Sequence, residues 1–420
     1  MITFGLLTWI AMRGARNVRT AADYSVAGRS LDSSGVSWII VGTLVGGIST
    51  IGTVQSAYTH GVSACIFTFG SGMSCFLLGC FFAKALRQEG VITVSEYLGK
   101  YFGIRFRYYS SAINSAGMFV HVVAQYLACI AILRSVFGCG HTLSLLFTTL
   151  LLGIFVISGG ISGAGLLGKI KFFMLYFIMV FSGGLALYKG GGILEIVKML
   201  PADQDMLGFS GYGLKKASID LFSMIVGVLS TQIYLQAIFS AKDVRQARNG
   251  AFISAAVIPP IGILGIIIGL YLRAYYPDLE GNGAEALPFF LYQSFPPVVA
   301  ALFSAGILLI VLGTGSGLAL GVSTNIYRDF LHDKKGFQSN SQQIRLLRLT
   351  TVVVVLAASL LVITGLDSTI LQWSYMSMGL RGSAVFAGLF ILVFCKKFSS
   401  SKLILVSLYL LPVLYLLLQI

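Results

Sequence analysis

One arginine stands in the middle of an apolar segment. Arg381 lies 13 residues after Ser368 and 15 before Lys396, too deep for its head to reach either interface. A guanidinium at that depth costs at least ~2.5 kcal/mol on insertion scales, and its planar donor fork suits a carboxylate or a phosphate. The competing reading is an arginine that binds orphan carbonyls of a broken helix. Two other stretches carry polar groups at membrane depth. Val41–Thr53 contains Gly46-Gly47 followed by Ser49-Thr50, and Ser230–Gln236 contains Thr231 and Gln232. Adjacent glycines and hydroxyls weaken a helix and free its carbonyls, which a membrane tolerates only around a protected cavity. Close helix–helix contact through small residues is the alternative. A third stretch, Gly313-Thr314-Gly315-Ser316-Gly317, offers a hydroxyl and close backbone approach. Facing a broken helix, it could hold a dehydrated Na⁺, since hard cations take oxygen ligands. It opens no strand–helix unit, which removes a dinucleotide fingerprint. His121 and Gln125, one turn apart, read as packing or network residues.

The elements that must position these groups follow from composition. Of 420 residues, 56% are apolar and 10% charged, against about 25% charged in a soluble domain. A water-facing surface cannot be covered, so a soluble enzyme is excluded. The expected class is an all-α integral membrane protein with about 12 transmembrane helices. A short apolar segment near 2–12 is followed by fuller ones near 34–59, 63–86, 109–137, 141–158, 166–188, 218–241, 250–276, 297–326, 346–366, 368–394 and 402–420. The first is too short to span, so it is a partial span or the true start lies upstream.

Charge gives the sidedness. With the loop after the first segment placed inside, 22 bases fall in inside loops and six outside, with Arg381 in a span. The net charge of +14 is therefore loop bias and implies no nucleic-acid partner. Six cysteines without a C-x-x-C pair read as packing residues. The four histidines are scattered and no paired acids lie in the spans, so no enzyme is expected.

The two polar breaks lie five segments apart. Segments 34–188 and 218–394 then form two five-helix repeats of opposite orientation. Residues 1–33 precede them as a short membrane segment and inside loop, 189–217 join them outside, and 395–420 add a C-terminal helix.

At these residues the chain resembles the sodium:solute symporter family. Asp23-Tyr24-Ser25-Val26-Ala27-Gly28-Arg29-Ser30-Leu31 is similar to the family's opening signature. Ile51-Gly52 with Tyr58 and Gly61 follows its first core helix, Thr93-Val94-Ser95-Glu96-Tyr97-Leu98 its T-x-x-E loop, and Gly159–Gly163 its glycine turn. Ala241-Lys242-Asp243 with Ala247-Arg248, Ala286-Leu287-Pro288, and Ser323-Thr324 with Asp329 continue the match in order. The resemblance implies a five-plus-five inverted-repeat core of the leucine-transporter (LeuT) type and secondary active uptake driven by Na⁺. It implies Na⁺ ligands at the carbonyls of Gly42 and Val45, a carbonyl near Ile310, and Gly313–Thr314. Ser49 and Thr231 match substrate-contact positions of sugar-transporting relatives, where amide or carboxyl side chains stand, and Tyr375 falls near another. Where relatives carry T-D-x-x-Q, this chain has Leu167-Gly168-Lys169-Ile170-Lys171. Both lysines are read as inside-loop charges. The other reading, an ammonium standing in for the ion, would leave proton coupling or none.

The expectation is a multi-pass cell-membrane symporter, embedded in the lipid bilayer and coupled to Na⁺, that takes up a small polar, carboxylate-bearing organic solute. Arg381 would neutralise the solute, and Ser49, Thr50, Thr231, Gln232 and Tyr375 would contact it. A proton-coupled or uncoupled carrier on the same fold and a transporter-like membrane sensor stand as alternatives.

Overall fold

The computed structural model describes residues 29–157, 161–201, 204–279, 283–331, 340–363, 369–398 and 401–417. The expected segment near 2–12, Asp23–Gly28 of the opening signature and Gly159-Gly160 lie outside the described residues. The described chain is helical, with one isolated bridge between Leu31 and Ala241.

The helices are α1 (Ser33–Leu44), α2 (Thr53–His60), α3 (Cys65–Leu77), α4 (Ala83–Gln88), α5 (Val94–Phe102), α6 (Ile104–Phe137) and α7 (His141–Ile157). There follow α8 (Ile161–Lys189), α9 (Ile193–Lys198), α10 (Leu214–Val228), α11 (Gln232–Phe239), α12 (Val244–Val257) and α13 (Pro259–Tyr275). The chain continues through α14 (Ala286–Ser294), α15 (Pro297–Asn325), α16 (Asn340–Val362), α17 (Ile370–Arg381), α18 (Ala387–Phe394) and α19 (Lys402–Leu417). Wide π-turns at Ile48–Gly52, Leu78–Phe82, Ile326–Leu331 and Gly382–Phe386 join or extend several of them. By length and composition, eight described helical stretches can cross a membrane, and three shorter apolar helices accompany them.

Polar side chains set the helix starts at one end of the bundle. Asp32 accepts from Gly35 N at 2.7 Å and caps α1, and Asp243 accepts from Gln246 N at 2.8 Å and caps α12. Thr93 accepts from Glu96 N at 3.0 Å while Glu96 reaches back to Ile92 N at 3.1 Å, a reciprocal cap that starts α5. The sequence motif Thr93–Glu96 is thus a helix start. At the same end Arg87 donates to Ala241 O at 2.6 Å and to Lys242 O at 3.1 Å. Leu31 and Ala241 pair through Leu31 N to Ser240 O at 3.1 Å and Lys242 N to Leu31 O at 2.8 Å. Asp329 is buried there and accepts from Thr93 Oγ1 and Arg107 Nε, both at 2.9 Å, and from Ser111 Oγ at 2.7 Å. These contacts join α5, α6 and the end of α15 at the face expected inside from charge. Asp329→Asn removes the charge from all three bonds and leaves Arg107 short of a partner. We expect a loss of about 2 kcal/mol, because Arg107 is part-exposed and recovers some hydration. The check is a lower thermal midpoint of the detergent-purified protein.

At the opposite end Tyr58 donates to the carbonyls of Tyr276 and Pro277 and accepts from Leu279 N at 3.1 Å. Large apolar side chains, among them Phe69, Phe177, Leu360 and Leu410, are exposed on the helix flanks, where bilayer lipid replaces water. In the interior, α6 packs against α15 and α17, and α1 packs against α8 and α12.

Candidate functional site

Two helices are interrupted, at the places the polar stretches mark. Between α1 and the following π-turn, Val45 takes an extended conformation (φ −90°, ψ 104°). Between α10 and α11, Thr231 does the same (φ −73°, ψ 118°). The hydroxyls that mark the breaks also stitch them. Ser49 Oγ accepts from Gly46 N at 2.8 Å, and Ser49 and Thr50 both reach Gly46 O, at 3.1 and 2.8 Å. Thr231 donates to Gly227 O at 2.7 Å and Ser230 to Val226 O at 2.5 Å.

One helix serves both breaks. On α6, Gln125 accepts from Gly47 N at 3.2 Å, and Asn114 donates to Ser230 O at 3.0 Å. Asn114, His121 and Gln125 fall at helical spacings that share a face. The sequence does not single out Asn114, since one amide in an apolar helix carries no local signal.

Arg381 lies across from the same face. Gly117 makes room: a Cβ there would come within 2.3 Å of Arg381 Cγ, and Ser377 donates to Gly117 O at 2.5 Å. Arg381 is fully buried, and among the described residues no carboxylate pairs with it. Its Nη2 meets Met378 Sδ at 2.7 Å and His121 Nδ1 at 3.3 Å, while Nε and Nη1 have no partner. Arginine can only donate, so His121 Nδ1 accepts and the imidazole proton is assigned to Nε2. That Nε2 and the Nε2 of Gln125 are also buried without partners. The unpartnered atoms of Arg381, His121 and Gln125 are therefore all donors, and of the two neighbours on α6 His121 touches the guanidinium. Tyr234, whose hydroxyl is buried and unpartnered too, lies within electrostatic reach of Arg381.

Gln232 has a different task from the one its polarity suggests. Its Oε1 accepts from Val94 N at 3.0 Å and its Nε2 donates to Ile92 O at 2.9 Å. Both ends of the amide hold the start of α5, so the side chain is committed to the backbone and not to a solute. Tyr375 is buried, with its ring 6.3 Å from that of Phe67 and its carbonyl accepting from Tyr415 at 3.3 Å.

The other cluster forms around Thr314. Its Oγ1 stands 3.0 Å from Ile310 O, 3.3 Å from Val45 O and 3.4 Å from Gly42 O. The structure thus brings together the side chain and three carbonyls named from sequence as ion ligands. Gly313 adjoins them but contributes space. Lys171 corrects the reading of both lysines as loop charges. Lys169 is exposed, whereas Lys171 is buried at 5% exposure, donating to Gly42 O and, at 2.8 Å, to Thr314 Oγ1. A tight crossing brings it there. A Cβ on Gly42 would lie 2.5 Å from Gly168 Cα, and one on Gly168 would lie 2.1 Å from Trp38 O. Lys171 follows Gly168 by one helical turn, on the face turned to α1. Sequence missed it because a base near the start of an apolar segment looks the same whether it faces solvent or the interior.

Broken helices whose freed carbonyls surround a buried polar site define a secondary transporter of the leucine-transporter-like fold. The profile of the sodium:solute symporter family matches residues 24–404, and the chain belongs to that family. It is a multi-pass membrane transporter with Na⁺ as the coupling ion. It is 22% identical to the sodium/sialic acid symporter NanT of Aliivibrio fischeri, over 96% of this chain and 86% of that one. It is also 22% identical to the sodium/pantothenate symporter of Haemophilus influenzae, over 82% of this chain and 73% of the relative. Among solved structures it superposes on a Na⁺-coupled sialic acid symporter in a substrate-bound outward-open state, with a TM-score of 0.79 at 20% identity. That match covers 94% of this chain and 85% of the other. Mhp1, a nucleobase-cation-symport-1 family transporter, matches with a TM-score of 0.66 at 14% identity, covering 93% and 92%.

Proposed function

We propose that the protein takes up a small polar, carboxylate-bearing organic solute by Na⁺-coupled symport with alternating access. The observation that carries the carboxylate is the unpaired Arg381 and the donors beside it. A buried guanidinium without a counter-charge is costly, and an arriving carboxylate supplies the charge and accepts its unsatisfied N–H groups. His121 and Gln125 add neutral donors on the same face of α6, while Gly46 and Gly47 let Thr314, Ala128 and Val311 pack closely against the break. Ser49, Thr50 and Thr231 serve by holding the two breaks. The two five-helix repeats, 34–188 and 218–394, supply the moving parts, and Na⁺ biases the equilibrium by its differential affinity for one arrangement.

A thermal-shift screen of the detergent-purified protein against organic acids, amino acids and sugars, with and without Na⁺, tests this reading. A ligand stabilises according to how far its concentration exceeds Kd. A Na⁺-dependent hit among carboxylates is the expected result, and hits confined to uncharged sugars would remove Arg381 as the anchor. Thr314→Val deletes the one side-chain oxygen of the ion site. Half-maximal uptake should then need several-fold more Na⁺; an unchanged Na⁺ dependence would place the ion elsewhere.

A further inference from the structure

We infer that Lys171 is a resident cation of the ion site, so that its docked ammonium and a bound Na⁺ exclude one another. The inference rests on the Na⁺-coupled reading for the identity of the competing ion. Its geometry stands independently. The Lys171 ammonium donates to Gly42 O and to Thr314 Oγ1, two of the oxygens that would coordinate the ion. The other two, Val45 O and Ile310 O, lie within 3.3 Å of that same Thr314 oxygen. Four oxygens thus converge on the space that the Lys171 Nζ occupies, and among the described residues no carboxylate accompanies it; its ammonium form is the cation inferred here. A second cation at that point would meet the first at contact distance in a poorly screened interior.

The seat for the lysine is built by a second feature. Gly313 precedes the ligand threonine, and a Cβ there would lie 3.0 Å from Lys171 Cδ and 3.2 Å from Nζ. Any side chain at 313 would therefore crowd the docked stem. The Gly42–Gly168 crossing fixes the approach from the other side, because a Cβ on either glycine would push α8 outward and withdraw the lysine. Three glycines and a lysine, on three different helices, are matched to one another around the site.

The consequence is a lowered apparent affinity for Na⁺. When the competent state is only a fraction of the population, apparent Kd rises by the inverse of that fraction. A lysine docked nine-tenths of the time raises it about tenfold. The ammonium also ties Gly42 O of α1 to Thr314 of α15 without any ion.

The test compares Na⁺ binding to the purified full chain, by radiolabelled Na⁺ and by thermal shift in NaCl against choline chloride, for wild type, Lys171→Met, Lys171→Ala and Gly313→Ala. Both lysine variants should bind Na⁺ with a midpoint about tenfold lower than wild type. They should also lose thermal stability in choline and regain it in Na⁺. Gly313→Ala keeps the lysine and crowds it without adding an oxygen ligand, so its midpoint should fall as well, and it decides the matter if the lysine variants do not fold. Equal Na⁺ midpoints in wild type and variants, or lysine variants that fold but bind no Na⁺, would overturn the inference. Uptake separates it from the reading beneath it. Wild-type uptake indifferent to replacing Na⁺ by choline would end Na⁺ coupling, while tighter Na⁺ binding in the variants would still establish the resident cation.

Discussion

Replacing Arg381 by lysine should reduce solute uptake about a hundredfold while leaving the protein in the membrane. The substitution keeps one positive charge but removes the planar fork. The ammonium is also shorter, so it cannot present two parallel donors to a carboxylate. Losing a bidentate, charge-assisted pair costs about 3 kcal/mol, which is roughly two orders of magnitude in affinity. Folding should be spared, because Nε and Nη1 make no hydrogen bond and their loss leaves no partner stranded. Arg381→Gln, which also removes the charge, should fall further still. The measurement is initial uptake rate in proteoliposomes, normalised to protein recovered in the bilayer. Transport at the wild-type rate by the Arg381→Lys variant would show that the guanidinium does not hold the solute.

Gly168→Val should have the largest effect on the folded protein. The nearest atom to a Cβ at this position is the backbone oxygen of Trp38 at 2.1 Å, with its carbonyl carbon at 2.9 Å. A backbone atom cannot swing aside as a side-chain tip does, so α1 and α8 must separate. Overpacking of this kind costs about 1–3 kcal/mol where the neighbours can shift, and more where they cannot. Separation would also draw Lys171 away from Gly42 O and Thr314 and leave a charge buried without acceptors. The expected result is little or no monodisperse protein after detergent extraction. Gly153→Val, at a glycine with open space around its missing Cβ, should extract normally. If Gly168→Val extracts as well as Gly153→Val, the crossing is not the constraint that seats the lysine.

The residues that carry the family likeness are mostly fittings at the helix ends. Thr93 and Glu96 cap α5, Ala241 and Lys242 receive Arg87, and Asp329 collects Thr93, Arg107 and Ser111. Apart from the local cap of α5, their partners lie far off in the chain, yet each motif is a short run of residues, so it is legible in one dimension. The same holds for the two helix breaks: a Gly-Gly pair or a hydroxyl run weakens the helix in which it stands. Sidedness is read from the same kind of local signal, the count of loop charges.

What the chain alone could establish was thus the class of architecture, the two interrupted helices and the exceptional arginine, and it named four oxygens that the fold brings together around Thr314. Each is a property of composition or of a few adjacent residues. Only the folded bundle decided what the polar groups do. It turned Gln232 from a solute contact into the latch of α5, gave Asn114 and Gln125 one break each, and left His121 beside Arg381 with its Nε2 unpaired. It also carried Lys171 from an assumed loop into the oxygen cage. The physical reason is the same in every case. A side chain's role depends on which polar partner it meets from a distant part of the chain, and in an apolar interior that single partner determines whether its charge or hydrogen bond is satisfied.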